Sequence, residues 1–180
     1  MPRLLVVSGS LSQKGRTAAA LATAARAFLD DSPGAASADL NVARAGIEIM
    51  DGRPLNEYGD ATRKAVEQAH DASAFLIGSP MYRGGITGAL KNYLDLVPPE
   101  FMKGKAAAIV ATGASYHHYL GVSLSLEPVL KFFQMLVVPS HLYIANLDAN
   151  EEITKGKARE LGRALAQLAT TNLLTGPGIE

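Results

Sequence analysis

Cysteine is absent from this chain, and with it go disulfides, thiolate catalysis and cysteine-bound metals. An excess of either charge is missing too: 17 basic residues balance 17 acidic ones, for a formal net charge of zero. No dense Lys/Arg run occurs, so the concentrated basic face that nucleic-acid binding needs is not there. Long apolar runs are also lacking. Leu4-Leu5-Val6-Val7 near the amino terminus is too short for a signal peptide or membrane anchor, so the expected location is the cytoplasm. Several catalytic signatures fail as well. No Gly-x-Ser-x-Gly elbow follows a strand, and the dinucleotide fingerprint Gly-x-Gly-x-x-Gly does not occur. Gly9 and Gly15 stand one residue too far apart for a nucleotide P-loop, and Arg16 occupies the place of its lysine. His117 and His118 suggest a metal at first sight. Adjacent residues rarely point the same way, however, and no third ligand is near.

What is present is a chain of 180 residues, 48% hydrophobic and 19% charged, which is long enough for one domain with a full core. Apolar runs alternate with helical patterns from end to end. Leu4–Val7 reads as a strand buried on both faces. A helix follows from about Gly15 to Leu29, stopped by Asp31-Ser32-Pro33-Gly34. The stretch from Ala35 to Ala45 reads as an irregular connection, with part of a strand at Leu40–Val42 as an alternative. Ile47-Glu48-Ile49-Met50 suits the second strand, and Asp60–Asp71 the next helix. Phe75-Leu76-Ile77 is a third strand, followed by a helical stripe from Ile86 through Val97 that ends at Pro98-Pro99. Lys105–Ala111 gives the fourth strand, and Leu126, Val129, Leu130 and Phe133 the fourth helix, with Pro128 in its first turn or kinking it. Leu136–Val138 and Leu142–Ile144 bracket a fifth strand, and Glu151 to about Leu173 closes as a helix. Five strands alternating with five helices predict a doubly wound parallel α/β sheet in a single domain spanning 1–180. Ligands of such sheets bind outside the carboxyl ends of the strands, where strand order reverses. The loops after strands one, three and four therefore hold the chemistry.

The first of these, Ser8 to Thr17, sets hydroxyls, glycines and cations before a helix, whose free N–H groups attract a phosphate. Ser10, Ser12 and Thr17 offer donors there, and Arg16 a charge-assisted fork. The plainer alternative is that Ser12 or Thr17 only caps the helix. The second runs Gly78-Ser79-Pro80-Met81-Tyr82-Arg83-Gly84-Gly85. Pro80 stiffens it and Gly84 and Gly85 let backbone approach a ligand, although glycine and proline punctuate ordinary βα loops too. In the third, Thr112-Gly113-Ala114-Ser115, hydroxyls flank a glycine.

The motifs Gly9-Ser10-Leu11-Ser12 with Arg16-Thr17 and Ser79-Pro80-Met81-Tyr82-Arg83-Gly84-Gly85 continuing to Asp95 resemble the NADPH-dependent FMN reductases of flavodoxin-like fold. The later Ala111-Thr112-Gly113-Ala114-Ser115 and the run Leu126-Glu127-Pro128-Val129-Leu130 are similar to the subgroup that supplies reduced flavin to two-component monooxygenases. The resemblance covers most of the chain, and the second motif is the specific one. It implies a three-layer flavodoxin-like sandwich with a five-stranded parallel sheet in the order 2-1-3-4-5. It also implies FMN as cofactor and NADPH or NADH as hydride donor. The FMN phosphate would then sit on Ser10, Ser12, Arg16 and Thr17. The isoalloxazine would lie against Pro80, Met81, Tyr82 and Gly84, with Thr112, Gly113 and Ser115 on the remaining side. No catalytic side chain is implied, because the flavin carries the redox chemistry. Arg83 either steers the nicotinamide nucleotide's phosphate or is a solvated surface arginine.

Two departures stand out. Gly15 replaces a hydroxyl common in the family, and Leu124 stands near the position where the alkanesulfonate-type reductases insert a tyrosine in a widened helical turn at a subunit interface. Other readings on the same scaffold stay open: an NAD(P)H:quinone or azo reductase, a flavodoxin-type electron carrier, or a non-flavin binding module. The carriers are usually strongly acidic, which this chain is not. The expected partners are a nicotinamide nucleotide, a flavin or small-molecule acceptor and a flavin-dependent monooxygenase, with neither nucleic acid nor membrane among them. The fourth helix region carries Tyr119, Leu120, Val122, Leu124, Leu126, Phe132, Phe133, Met135 and Leu136, more apolar residues than one buried stripe needs, which predicts a homodimer or homotetramer.

Overall fold

The computed structural model describes residues 2–146 and 150–170. Apolar residues at alternate positions of the strands divide between two cores, one on each face of a single sheet. The strands are β1 (Arg3–Ser8), β2 (Ala36–Asn41), β3 (Ala74–Pro80), β4 (Ala106–Gly113), β5 (Leu136–Val137) and β6 (Leu142–Ala145), and every pairing is parallel. The helices are α1 (Arg16–Asp30), α2 (Asp60–Asp71), α3 (Gly88–Leu96), α4 (Glu127–Phe132) and α5 (Glu151–Thr170). Leu4, Val6, Leu76 and Val110 face α1 and α5, whereas Leu5, Phe75, Ile77 and Ile109 face α2, α3 and α4. The result is a flavodoxin-like three-layer sandwich with strand order β2-β1-β3-β4-β5.

The order agrees with the expectation, but the described residues form six strands rather than five because the fifth lane is broken. β5 pairs with the start of β4 and β6 with its end. Between them Ala108 and Ile109 of β4 lie opposite Val138, Pro139, Ser140 and His141, two residues more than a continuous strand would place there. Pro139 has no N–H to donate, so a break there loses least. Burial holds the half-buried His141 imidazole below its ordinary pKa, with the Glu127 carboxylate partly opposing that shift.

The second strand is not where the sequence suggested. Ala36–Asn41 forms β2, with Ala38 and Leu40 turned to the core and Ser37 and Asp39 exposed, as an edge strand allows. Ile47–Met50 joins no sheet. The Asn92 carboxamide of α3 serves it as a neighbouring strand would: Nδ2 donates to the Glu48 carbonyl at 2.8 Å, and the Met50 N–H donates to Oδ1 at 2.9 Å. The Thr62 hydroxyl of α2 accepts the Glu48 N–H at 2.9 Å, so side chains of two helices bond this stretch of backbone. Elsewhere agreement is close. α2 coincides with its expected span, α3 begins two residues later than Ile86 behind the cap Thr87, and the proposed extension of α5 to Leu173 falls outside the described residues.

α4 is short, with Pro128 in its first turn, and a π-helical turn, Val122–Leu126, leads into it. The widened turn is thus present with Leu124 on it, without the tyrosine. Of the apolar excess noted in this region, Val122, Leu126, Phe133 and Met135 are core, while Tyr119, Leu120, Leu124 and Phe132 are exposed.

Candidate functional site

The carboxyl ends of β1, β3 and β4 meet at one crevice, and cross-bonds tie their loops together. The Gly9 N–H donates to the Gly78 carbonyl at 2.8 Å and the Met81 N–H to the Thr112 carbonyl at 2.7 Å. The Thr87 hydroxyl donates to the Gly9 carbonyl at 3.0 Å while accepting the Leu90 N–H, so one residue caps α3 and anchors the first loop. A methyl group at Gly9 would lie 2.6 Å from that hydroxyl, which accounts for a glycine there.

The first loop is braced from within and from β2. Its Ser12 N–H donates to the Ser10 hydroxyl at 3.2 Å, and the Asn41 amide donates to the Ser10 carbonyl at 2.8 Å. Gly15 is the N-cap of α1 and supplies no side-chain acceptor, and no acid stands in the first turn. The other helix starts differ. Glu48 accepts the Gly59 N–H at 2.5 Å before α2, which also has Asp60 in its first turn, and Thr87 caps α3. The positive end of the α1 dipole therefore faces the crevice uncompensated. Thr17 is buried, its Oγ1 2.9 Å from Oγ1 of Thr112. Arg16 is turned toward the end of β6, where Nη1 donates to the Ala145 carbonyl at 2.5 Å and Nη2 to the Asn146 side chain. A guanidinium has five donors, so this anchoring leaves some for a second acceptor.

In the second loop the Ser79 hydroxyl donates to the Pro80 carbonyl at 2.8 Å and accepts the Thr87 N–H at 3.2 Å. Met81 is buried beneath it. Tyr82 and Gly85 exchange N–H to carbonyl bonds of 2.9 and 3.1 Å across Arg83 and Gly84, whose φ values are 53° and 83°. Two successive positive φ angles mark a type I′ turn, and the exposed Tyr82 ring is carried on it as on a rigid bracket. The third loop is pinned from behind. The Tyr143 hydroxyl donates to the Ser115 carbonyl at 2.5 Å, and the Asn146 N–H donates to the Gly113 carbonyl at 3.0 Å. The Ser115 hydroxyl lies 3.3 Å from His118 Nδ1 and 3.5 Å from His117 Nδ1. Among the described residues no group of three or more acidic or histidine side chains is arranged to hold a metal ion.

All eleven residues singled out in the sequence, Ser10, Ser12, Arg16, Thr17, Pro80, Met81, Tyr82, Gly84, Thr112, Gly113 and Ser115, lie on these three loops or the element ends beside them. The bonds that connect Gly9 to Gly78 and Thr87 and Ser79 to Thr87, the anchor of Arg16 and the Thr17–Thr112 contact had no signal of their own. They join residues far apart in the chain.

Comparison with known proteins bears on the same region. The family model of NADPH-dependent FMN reductases matches residues 2–149. An NAD(P)H-dependent FAD/FMN reductase of Geobacillus thermodenitrificans is 37% identical over 123 residues, covering 68% of this chain and 66% of that one. The matched stretches span about two thirds or less of the curated relatives' lengths. An oxidoreductase structure from Corynebacterium diphtheriae superposes with a TM-score of 0.83 at 18% identity, covering 94% of this chain and 97% of that one. A flavodoxin from the domain Archaea gives 0.67 at 13% identity, covering 94% and 99%. At such identities the structures speak to the fold alone.

Proposed function

Because the chain belongs to the NADPH-dependent FMN reductase family, we propose that it is an NAD(P)H-dependent FMN reductase with its flavin in this crevice. The observation that carries the reading is the start of α1: uncapped, without a carboxylate, and opening onto the same crevice as the Pro80–Gly84 turn. Both halves of FMN find suitable chemistry there. The amides at the start of α1, with Ser10, Ser12, Thr17 and the remaining donors of Arg16, would hold the phosphate. Pro80, Met81, Tyr82 and Gly84 would form the wall for the ring, with Thr112, Gly113 and Ser115 closing the other side. When bound, the flavin supplies the hydride-accepting chemistry. The chain's own work is then to bind, to orient the ring for a nicotinamide and to set local polarity with backbone groups. No side-chain acid or base is assigned.

Titrating flavin-free protein with FMN and then mixing it anaerobically with NADH or NADPH tests this. We expect binding, and bleaching of the yellow band by at least one nucleotide. Binding without bleaching would indicate an electron carrier instead, and absence of binding would end the flavin reading.

Reduced flavin produced here would serve a small-molecule acceptor or a flavin-dependent monooxygenase. Among the described residues no helix is long and apolar enough to cross a membrane. We place the protein in the cytoplasm, where reduced nicotinamide nucleotides are at hand. We further propose a homo-oligomer joined along α4. Successive four-residue steps on a regular α-helix drift around its axis, and the wider π turn absorbs that drift. Leu120, Leu124, Pro128 and Phe132 consequently form an exposed ridge, with Leu124 76% and Phe132 71% accessible. Beside it runs a groove of about 420 Å³ between α3 and α4, lined by Leu94, Val97, Val129 and Phe133 among others. Such a ridge-and-groove pair is self-complementary, as a two-fold interface requires. Leu124→Lys should shift the mass measured by light scattering to that of the monomer. A wild-type monomer, or a variant of unchanged mass, would count against this interface.

A further inference from the structure

Thr17 and Thr112 belong to different loops, and their hydroxyls meet in a place 3% and 6% accessible. Two hydroxyls carry two hydrogens. Their mutual bond at 2.9 Å uses one, and neither oxygen has another partner among the described residues. The second hydrogen therefore has no acceptor, although an unsatisfied buried donor is costly and rare. An acceptor brought by a ligand resolves this.

We infer that the pair works as a relay in which Thr112 donates to Thr17 and Thr17 donates its own hydrogen to a phosphate oxygen of the ligand. The direction follows from the surroundings. Thr17 lies in the first turn of α1, where the helix dipole and unpaired amides draw an anion. A bond to an anion is stronger than one to a neutral carbonyl, and accepting from Thr112 polarises the Thr17 hydroxyl further. The Thr112 carbonyl is fixed by the Met81 N–H, so its side chain is held toward α1 by the sheet itself. Thr112, at the end of β4, is thereby a positioning residue for the phosphate, and not only a neighbour of the ring. The inference rests on the FMN reading, and the relay joins the phosphate loop to the ring loop through one hydrogen.

The test measures FMN and riboflavin affinity by flavin fluorescence for wild type, Thr17→Val, Thr112→Val and the double variant, with thermal melts confirming folding. Thr17→Val should weaken FMN about tenfold. Thr112→Val should weaken it by a smaller factor, and the double variant should lose no more than Thr17→Val alone. Riboflavin affinity should fall by a clearly smaller factor than FMN affinity in each variant, and Thr112→Ser should restore FMN binding. Should Thr112→Val fold poorly, Thr112→Ala takes its place in the cycle. Single losses that multiply in the double variant would overturn the relay. So would equal losses for riboflavin, which would direct the spare hydrogen to the ring, or FMN affinity unchanged in every variant. Wild-type protein that binds neither flavin would instead refute the FMN reading beneath it.

Discussion

Gly15→Asp is expected to stabilise the flavin-free protein and to weaken FMN binding severely. The two effects have one cause. An aspartate at this N-cap accepts an amide of the first turn of α1 and sets a negative charge at the positive end of the helix, together worth about 0.5–1 kcal/mol. In a domain of this size that raises the melting temperature by about 1–4 °C. Gly15 has φ −81° and ψ 173°, which any residue adopts. A Cβ there would lie 3.0 Å from the Ser12 hydroxyl, and the exposed loop must give a few tenths of an ångström. The same carboxylate would sit where the phosphate is proposed. Two anions a few ångströms apart in a partly shielded crevice repel strongly enough to lower FMN affinity about a hundredfold or more. Riboflavin, which lacks the phosphate, should bind as before. Calorimetric melts and fluorescence titrations read the two effects separately, and undiminished FMN binding would move the phosphate away from α1.

The second large effect concerns the packing of α1 on α5. Gly162 of α5 is buried against α1 so closely that a Cβ there would press into the Ala24 carbonyl oxygen, 2.9 Å from its carbon and 3.0 Å from the Ala27 methyl. Backbone does not rotate aside as a side chain does. Gly162→Val must therefore part the helices, at about 3 kcal/mol, lowering the melting temperature by about 6–12 °C. The same helix contains a control. Nothing lies within 4 Å of a Cβ added at Gly156, so Gly156→Ala should gain about 1 kcal/mol from helix propensity alone. Opposite signs at two glycines of one helix would separate close packing from propensity. A neutral Gly162→Val would show that the helices do not approach so nearly.

Sequence pattern disclosed what depends on local periodicity. The buried runs of β3 and β4 and the stripe of α2 need no distant partner to be recognised. It misled at Ile47–Met50, because a short apolar run looks alike whether a neighbouring strand or the side chains of Asn92 and Thr62 satisfy its backbone. It reached β2 only as an alternative at Leu40–Val42, because Ala38 and Leu40 alternate with Ser37 and Asp39 too weakly to stand out from a loop. The broken fifth lane arises from register against β4, which a single strand's composition does not carry. The candidate site divides in the same way. Hydroxyls and glycines after β1, β3 and β4 were legible from chain order and the rule for doubly wound sheets. The anchoring of Arg16 on Ala145 and the bond of Thr87 to Gly9 were not, since each joins segments that only folding brings together.

The approach of α1 to α5 also bears on how the chain folds during synthesis. α1 is complete by Asp30, yet α5 begins only at Glu151, after every strand of the sheet. Part of the face bearing Ala24, Ala27 and Phe28 must wait for residues translated much later. At ribosomal speeds of about 5–20 residues per second that wait lasts many seconds. During it the nascent domain exposes an alanine-rich seam to whatever it meets, and chaperones have their opportunity in that interval.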